Sequence, residues 1–337
     1  MMSGKIITLS HGNGGRRSHE LIAKLFVPAL GHPELARLAD AACLTINGTN
    51  MAFTTDSHVI SPIFFPGGDI GKLAVTGTAN DLAVMGAKPL YLSCGLIIEE
   101  GFEMDKLELI IKSMSEAAED AGVHVVTGDT KVVEKGAADG IYINTSGIGM
   151  LSERAPRGLS SVAVGDAVIV SGSMGDHGAA VYAERESLLI KAPLHSDCDC
   201  VFPLIERAMA VCEDIRIMRD PTRGGLSSTL NEFVMDQPFG IEIHEAAVPV
   251  NDPVRAICEL LGFDPFNLAN EGKVVMVAPY EKAANIIEAM RSSPLGSEAS
   301  IIGRVTDRYP GRVCLKTVVG GERIIDMIVE EPFPRIC

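Results

Sequence analysis

Three aspartates stand among small residues in separate segments of the chain: Asp56 in FTTDS, Asp81 in TANDLAVMGA and Asp129 in VVTGDTK. Gly, Ala, Ser and Thr beside a carboxylate leave room for a ligand. Mg2+ takes one or two carboxylates together with substrate phosphate oxygens, so aspartates converging from separate strand ends suit a magnesium nucleotide site. Taken singly, an aspartate after a strand also serves as a helix cap or turn residue. A fourth segment, RDPTRGGLSSTLNEF, sets Asp220, Thr222, Arg223, Gly224 and Gly225 directly before a helical pattern. The amide N–H groups and dipole of that helix start favour an anion, and the Arg223 fork adds donors. A well-capped helix start is the competing reading.

The standard phosphate-binding fingerprints do not fit. GGDIGKL places Gly67 four rather than five positions before Gly71 and lacks Ser or Thr after Lys72, so it is not a P-loop. HGNGG has Arg17 where a dinucleotide fingerprint needs its last glycine. Each reads by itself as a turn. Eight cysteines are scattered without a CxxC pair, and Cys198 and Cys200 in DCDC lack the second ligand pair that a structural zinc would need. They read as buried thiols, and His11, His58 and His177 as turn or core residues.

Positioning these groups requires an alternating fold. Between Met104 and Ala121 the apolar residues recur at three and four, and Gly122 follows as a stop, which predicts a helix covering a sheet. Val123 to Thr127 then reads as a short buried strand that Asp129 leaves. Further strands are expected at 51–55, 90–98 and 141–148, and a helix between Asp69 and Gly86 carries Asn80 and Asp81 near its far end. The polar, Pro-containing SERAPRGL marks a boundary. Beyond it come strands at 167–171, 241–244 and 274–278, and helices at 179–189, 201–213, after Gly225, and at 253–261 and 281–291. VEEPFPRIC closes the chain as an extended tail.

The chain has 337 residues, a prior of about two domains. Its net charge of −15 argues against a nucleic-acid partner, since phosphate-backbone binders cluster Lys and Arg. Apolar runs are broken well short of a membrane span and no signal peptide opens the chain, so a cytoplasmic protein with no membrane association is expected.

Together GGDIGKLAVTGTANDLAVMGA, VVTGDTKVV, RDPTRGGL, NEGK and the terminal PRIC resemble the HypE family, the carbamoyl dehydratases of NiFe hydrogenase maturation. That family belongs to the superfamily of aminoimidazole ribonucleotide synthetase, thiamine-monophosphate kinase and selenophosphate synthetase. The resemblance covers essentially the whole chain. It implies an α+β fold of two α/β domains: 1–155 for ATP binding and dimerisation, 156–330 as the C-terminal domain, and 331–337 as a flexible tail carrying the terminal Cys337.

The resemblance further implies ATP and Mg2+ as cofactors. Asp56, Asp81 and Asp129 match the metal positions. Lys72, Asn80, Asp220, Thr222, Arg223, Gly224 and Gly225 join them in the nucleotide site. Cys337 matches the carrier thiol, Glu271 a candidate base and Lys131 an electrostatic stabiliser. A HypF-type carbamoyl transferase would load the thiol, ATP would drive dehydration of the thiocarboxamide to a thiocyanate, and an iron-binding HypC–HypD-type scaffold would receive the cyanide. A homodimer is implied because the family's site is shared between subunits. A small-molecule kinase of the same superfamily would need the aspartates but not the tail. Extended, the six residues from Pro332 to Cys337 reach about 20 Å, so the thiol could travel between the ATP site and an outside partner.

Overall fold

The computed structural model describes residues 6–190, 192–328 and 335–337. Two mixed sheets divide the chain. The first contains β1 (Ala42–Ile46), β2 (Thr49–His58), β3 (Ala87–Glu99), β4 (His124–Val133) and β5 (Ile141–Leu151), in the spatial order β1-β2-β5-β3-β4. All its pairings are antiparallel except β3 with β4. The second contains β6 (Ala167–Val170), β7 (Ile217–Arg219), β8 (Gly240–His244), β9 (Val275–Ala278), β10 (Ser300–Thr306), β11 (Val313–Lys316) and β12 (Glu322–Ile325). Its order is β12-β11-β8-β10-β6-β9-β7.

Helix α1 (Arg16–Leu21) precedes the first sheet, which is covered by α2 (Ile70–Val84) and α3 (Met104–Ala121). The second sheet carries α4 (Asp176–Arg185), α5 (Phe202–Val211), α6 (Gly225–Val234), α7 (Asp252–Leu261) and α8 (Tyr280–Arg291).

Helix α2 positions the site. It is apolar nearly all round, the pattern of a helix enclosed on every side, and only Lys72 and Asp81 among its residues are not buried. Asp69 caps it, accepting the N–H groups of Gly71 and Lys72. A Cβ at Gly71 would lie 2.4 Å from the carbonyl oxygen of Ile110, so this glycine lets α2 and α3 approach closely. One apolar core runs from α2 and α3 across to Ala179, Val181 and Leu268 of the second half, and includes Ile336.

Helix α3 has the bounds its periodicity predicts and ends on left-handed Gly122. The strand after it departs from expectation. It runs from His124 to Val133 at the edge of the sheet and is exposed along almost its whole length, so Asp129 lies within it rather than leaving its end. Its valines are intrinsically suited to a buried strand, but no other segment among the described residues covers them. The three strands after residue 299 were not anticipated. Of the expected tail, 331–334 lie outside the described residues, whereas Arg335 to Cys337 are docked against the body.

Candidate active site

Asp81 projects from the last turn of α2 into a group that also contains Asp40, just before β1, and Asp220, just after β7. One carboxylate oxygen from each lies within 4.8 Å of the others. The Thr54 hydroxyl is 2.8 Å from both Asp81 Oδ2 and the Asp40 carbonyl. Burial pushes Asp81 well above the usual carboxylate range, and Asp220, Asp56 and Asp40 push it further. Burial, with Asp40 next, does the same to Asp220. Asp40 is raised to about 6 by burial, against the pull of Arg219. That guanidinium lies 3.2 Å from Asp40 and 2.6 Å from Glu232, so it is shared rather than dedicated to the cluster. Three crowded carboxylates with a shared counter-charge are a donor set for a hard divalent cation, whose oxygen ligands these are.

Asp40 escaped sequence reasoning because a lone aspartate before a strand carries no spacing signal. Asp56 sits beside this group: its charge acts on Asp81 and Asp220, and its Oδ2 is 3.6 Å from His58 Nε2. Burial would raise Asp56, but His58, Arg223 and the Ser57 N–H outweigh it and hold the carboxyl low. His58 is itself buried, which lowers its pKa, and its Nδ1 has no hydrogen-bond partner. The structure does not bring Asp129 into the acidic group. It is exposed on β4 and paired with Lys131 at 2.8 Å. Both line a pocket of about 410 Å³ that His58 and Val59 also line.

The two glycine loops come together. Arg223 donates to the Gly12 carbonyl at 2.8 Å, and a Cβ at Gly14 would lie 3.0 Å from that of Arg223. Gly224 and Gly225 both have positive φ, and a Cβ at Gly225 would strike the Leu268 carbonyl at 2.3 Å, which fixes this turn as glycine. Thr222 closes the turn by accepting the Gly225 N–H at 2.9 Å. At the start of α6 the buried hydroxyls of Ser227 and Ser228 lack partners, as does Asn13 Nδ2 in the first loop. Unpaired buried donors beside a helix N-terminus are what an anionic ligand would satisfy.

Asn80 turns inward. Its Nδ2 donates to the carbonyls of Asp199 and Glu271, and its Oδ1 accepts from Val201, so its side chain ties α2 to two loops of the second half. Lys72 lies in the first turn of α2, about 13 Å along the axis from Asp81, and is not brought to the acidic group. Cys198 and Cys200 are buried, and burial raises both thiols, Cys200 to about 11.

Glu271 and Cys337 complete the arrangement. Glu271 is buried with Oε1 unpartnered, and burial, reinforced by Asp220, Asp56 and Asp197, pushes its carboxyl well up. Cys337 is half-buried, and its main-chain oxygen accepts the Val59 N–H at 3.0 Å. Arg223 links these residues electrostatically. Its pKa is raised most by Cys337, then by Asp56, Glu271 and Asp81, against burial.

Residues 38–151 match the AIR synthase related protein N-terminal domain, and residues 163–315 match the C-terminal domain. The chain is 47% identical to carbamoyl dehydratase HypE of Bradyrhizobium diazoefficiens over 98% of this chain and 96% of that protein. Among solved structures it resembles HypE in complex with ATP at 45% identity, with a TM-score of 0.82, covering 98% of this chain and all of that one. It also resembles a chain of a HypE–HypF complex at 46% identity, with a TM-score of 0.86, over 91% of this chain and 99% of that one.

Proposed function

The chain belongs to the HypE family of carbamoyl dehydratases, and we infer that it uses ATP to convert the S-carboxamide of its own terminal Cys337 to the S-cyano form. The observation that carries this reading is the docking of Cys337: its main-chain oxygen accepts the Val59 N–H at 3.0 Å, next to His58, whose Nε2 is 3.6 Å from Asp56 beside the acidic group. A small-molecule kinase would have no use for a cysteine there.

Dehydration must remove the amide oxygen and both amide protons. The oxygen is a poor leaving group until it takes the γ-phosphoryl group of ATP. The C–O bond then breaks with phosphate departing, and the nitrogen gives up its protons, leaving a nitrile on sulfur with ADP and phosphate as the other products. Glu271 is the candidate base: its Oε1 is buried without a hydrogen-bond partner and can take a proton when the carboxyl is ionised. Arg223 supplies positive charge to the acidic side of the site, and Lys131, paired with Asp129 at 2.8 Å, is the candidate electrostatic stabiliser in the pocket that Val59 also lines. Asn13, Ser227, Ser228 and the start of α6 offer donors for phosphate oxygens. Asp40, Asp81 and Asp220, with Asp56 adjoining, would hold Mg2+, which neutralises phosphate charge when bound. A HypF-type transferase supplies the carbamoyl group, and a HypC–HypD-type iron scaffold receives the cyanide.

The test is intact mass after incubation with the transferase, carbamoyl phosphate and ATP. Loading adds about 43 Da and dehydration then removes about 18 Da, as formation of the thiocarboxamide and loss of water require. Loading that persists unchanged in the presence of ATP would overturn the reading.

A homodimer is part of the same proposal. Val125, Val126 and Val132 on edge strand β4 and Leu109 and Ile111 on α3 are exposed, and a groove of about 1050 Å³ runs between these elements. An uncovered apolar edge of this kind invites a second copy. Light scattering should give a dimer at micromolar concentration, and Val126→Glu with Val132→Glu should shift it to monomer. A wild-type monomer with full ATP turnover would remove the dimer. No helix among the described residues is long and apolar enough to cross a membrane, and a cytoplasmic setting keeps a carrier thiol reduced.

A further inference from the structure

The last three residues lie in a cradle in which the main-chain oxygen of each meets a donor from the body of the protein. The Arg335 carbonyl accepts from the Ser61 N–H at 3.2 Å and from Arg185 Nη2 at 2.8 Å. That of Ile336 accepts from His177 Nε2 at 2.7 Å, and the main-chain oxygen of Cys337 from the Val59 N–H at 3.0 Å. Arg185 is aligned by a second bond, from Nε to the Ser61 carbonyl at 2.7 Å. The Ile336 side chain is 2% exposed and joins the core shared by both halves of the chain. Arg335 reaches Asp139 and the Val59 carbonyl.

His177 is the buried member of this cradle. Its ring is fully enclosed and meets Phe65 edge-on at 5.4 Å. A carbonyl only accepts, so Nε2 carries the proton, and Nδ1 accepts from the Ser196 hydroxyl at 2.8 Å. Ser196 Oγ in turn accepts the Cys198 N–H at 3.0 Å, which makes the assignment self-consistent. Burial lowers the imidazole pKa and favours this neutral form. The next residue, Asp197, accepts the Glu271 N–H on Oδ1 at 3.0 Å, and its Oδ2 is 3.2 Å from Lys273 Nζ. A continuous path of hydrogen bonds and one peptide link therefore joins the penultimate carbonyl of the chain to the backbone of Glu271.

We propose that His177, assisted by Arg185, is a positioning residue for dehydration: it holds the terminal thiol in the active site by binding the backbone of residues 335–337, and through Ser196 and Asp197 it ties that docking to the placement of Glu271. The proposal rests on the functional reading above, in which the thiol must leave the site to be loaded and to discharge cyanide. An ordinary core histidine keeps its partners throughout. This one bonds a carbonyl next to the group that has to depart, so the contact is made and broken in every cycle.

Two readouts test it, only one of which needs the dehydration reaction. The first is the rate at which iodoacetamide alkylates Cys337 in the otherwise unmodified protein, followed by peptide mass so that the other thiols do not interfere. The second is single-turnover dehydration of carbamoylated protein. Losing a buried hydrogen bond predicts for His177→Phe about tenfold faster alkylation and at least about tenfold slower dehydration, with ATP affinity within about twofold of wild type. His177→Gln, whose amide N–H can reach the Ile336 carbonyl, should recover most of both. Arg185→Met, at a half-buried position, should shift alkylation in the same direction and supplies the answer if His177→Phe does not fold. A merely structural histidine would lose ATP binding and melting temperature together, without rescue by Gln. Wild-type alkylation rates in the folded variants would overturn the proposal. Absence of dehydration in the wild-type protein would instead overturn the functional reading, and alkylation would still judge the cradle.

Discussion

Cys337→Ala should abolish formation of both the carbamoyl and the cyano adducts while leaving ATP affinity within about twofold of wild type. The loss is complete because transfer needs a reachable nucleophilic thiolate, while the other cysteines of the second half are enclosed and burial raises the half-buried Cys43 and Cys94 thiols. Cys198 and Cys200 are 2% and 6% exposed, and burial holds both thiols in the protonated form. Nucleotide binding should persist because the acidic group and the glycine loops are supplied by other segments. The cradle should persist too, since alanine retains the main-chain oxygen that accepts from Val59. Mass spectrometry of the protein after incubation with transferase, carbamoyl phosphate and ATP reads the outcome directly. An adduct on any other cysteine would defeat the assignment of Cys337 as carrier.

Asp81→Asn should lower Mg-ATP turnover by at least about tenfold, equivalent to about 1.4 kcal/mol of transition-state stabilisation, and at the same time make the metal-free protein more stable at neutral pH. The second effect follows from the sign of the shifts. Burial and mutual repulsion raise the folded-state pKa of Asp81, Asp220 and Asp40 above the value of an unfolded aspartate, about 3.9. Between those values the folded protein binds more protons than the unfolded one, so stability is greatest in acid and declines as pH rises through the folded pKa. For Asp40 that decline spans the interval from about 4 to the folded value of about 6. Replacing Asp81 by neutral Asn removes one repelling charge and keeps an acceptor for the Thr54 hydroxyl. Thermal melts without metal should therefore show a rise of about 2 °C at pH 7 for each kcal/mol relieved. Mg2+ should raise the melting temperature of wild type clearly more than that of the variant. A variant that turns over ATP at the wild-type rate would show Asp81 to be structural.

Helix α3 was legible from local spacing alone, because one-sided burial imposes a period that needs no knowledge of what lies opposite. The chemistry of the site was legible as residue types: carboxylates among small residues, glycines before a helix, a cysteine at the chain end. Family motifs joined these into an expected activity. What spacing could not supply was the place of each segment in its sheet. Val123 to Thr127 has the composition of an interior strand, yet all of it after Val123 belongs to edge strand β4, because strand order depends on pairings between distant segments. Asp40 and Asp129 changed standing for the same reason. A solitary aspartate before β1 met Asp81 and Asp220 only through the packing of α2 between the two halves, while Asp129 was left on the open edge beside Lys131. Asn80, expected beside the nucleotide, spends its amide on the carbonyls of Asp199 and Glu271 and the N–H of Val201. The docking of Arg335 to Cys337 was the least predictable feature. Two prolines just upstream correctly suggest chain that forms neither helix nor strand, but whether such a segment is held is decided by donors from residues 59–61, His177 and Arg185. Residue types and their local order thus determined which reactions this protein could perform. Long-range contacts, which alone set distances between segments remote in sequence, decided which groups meet to perform one.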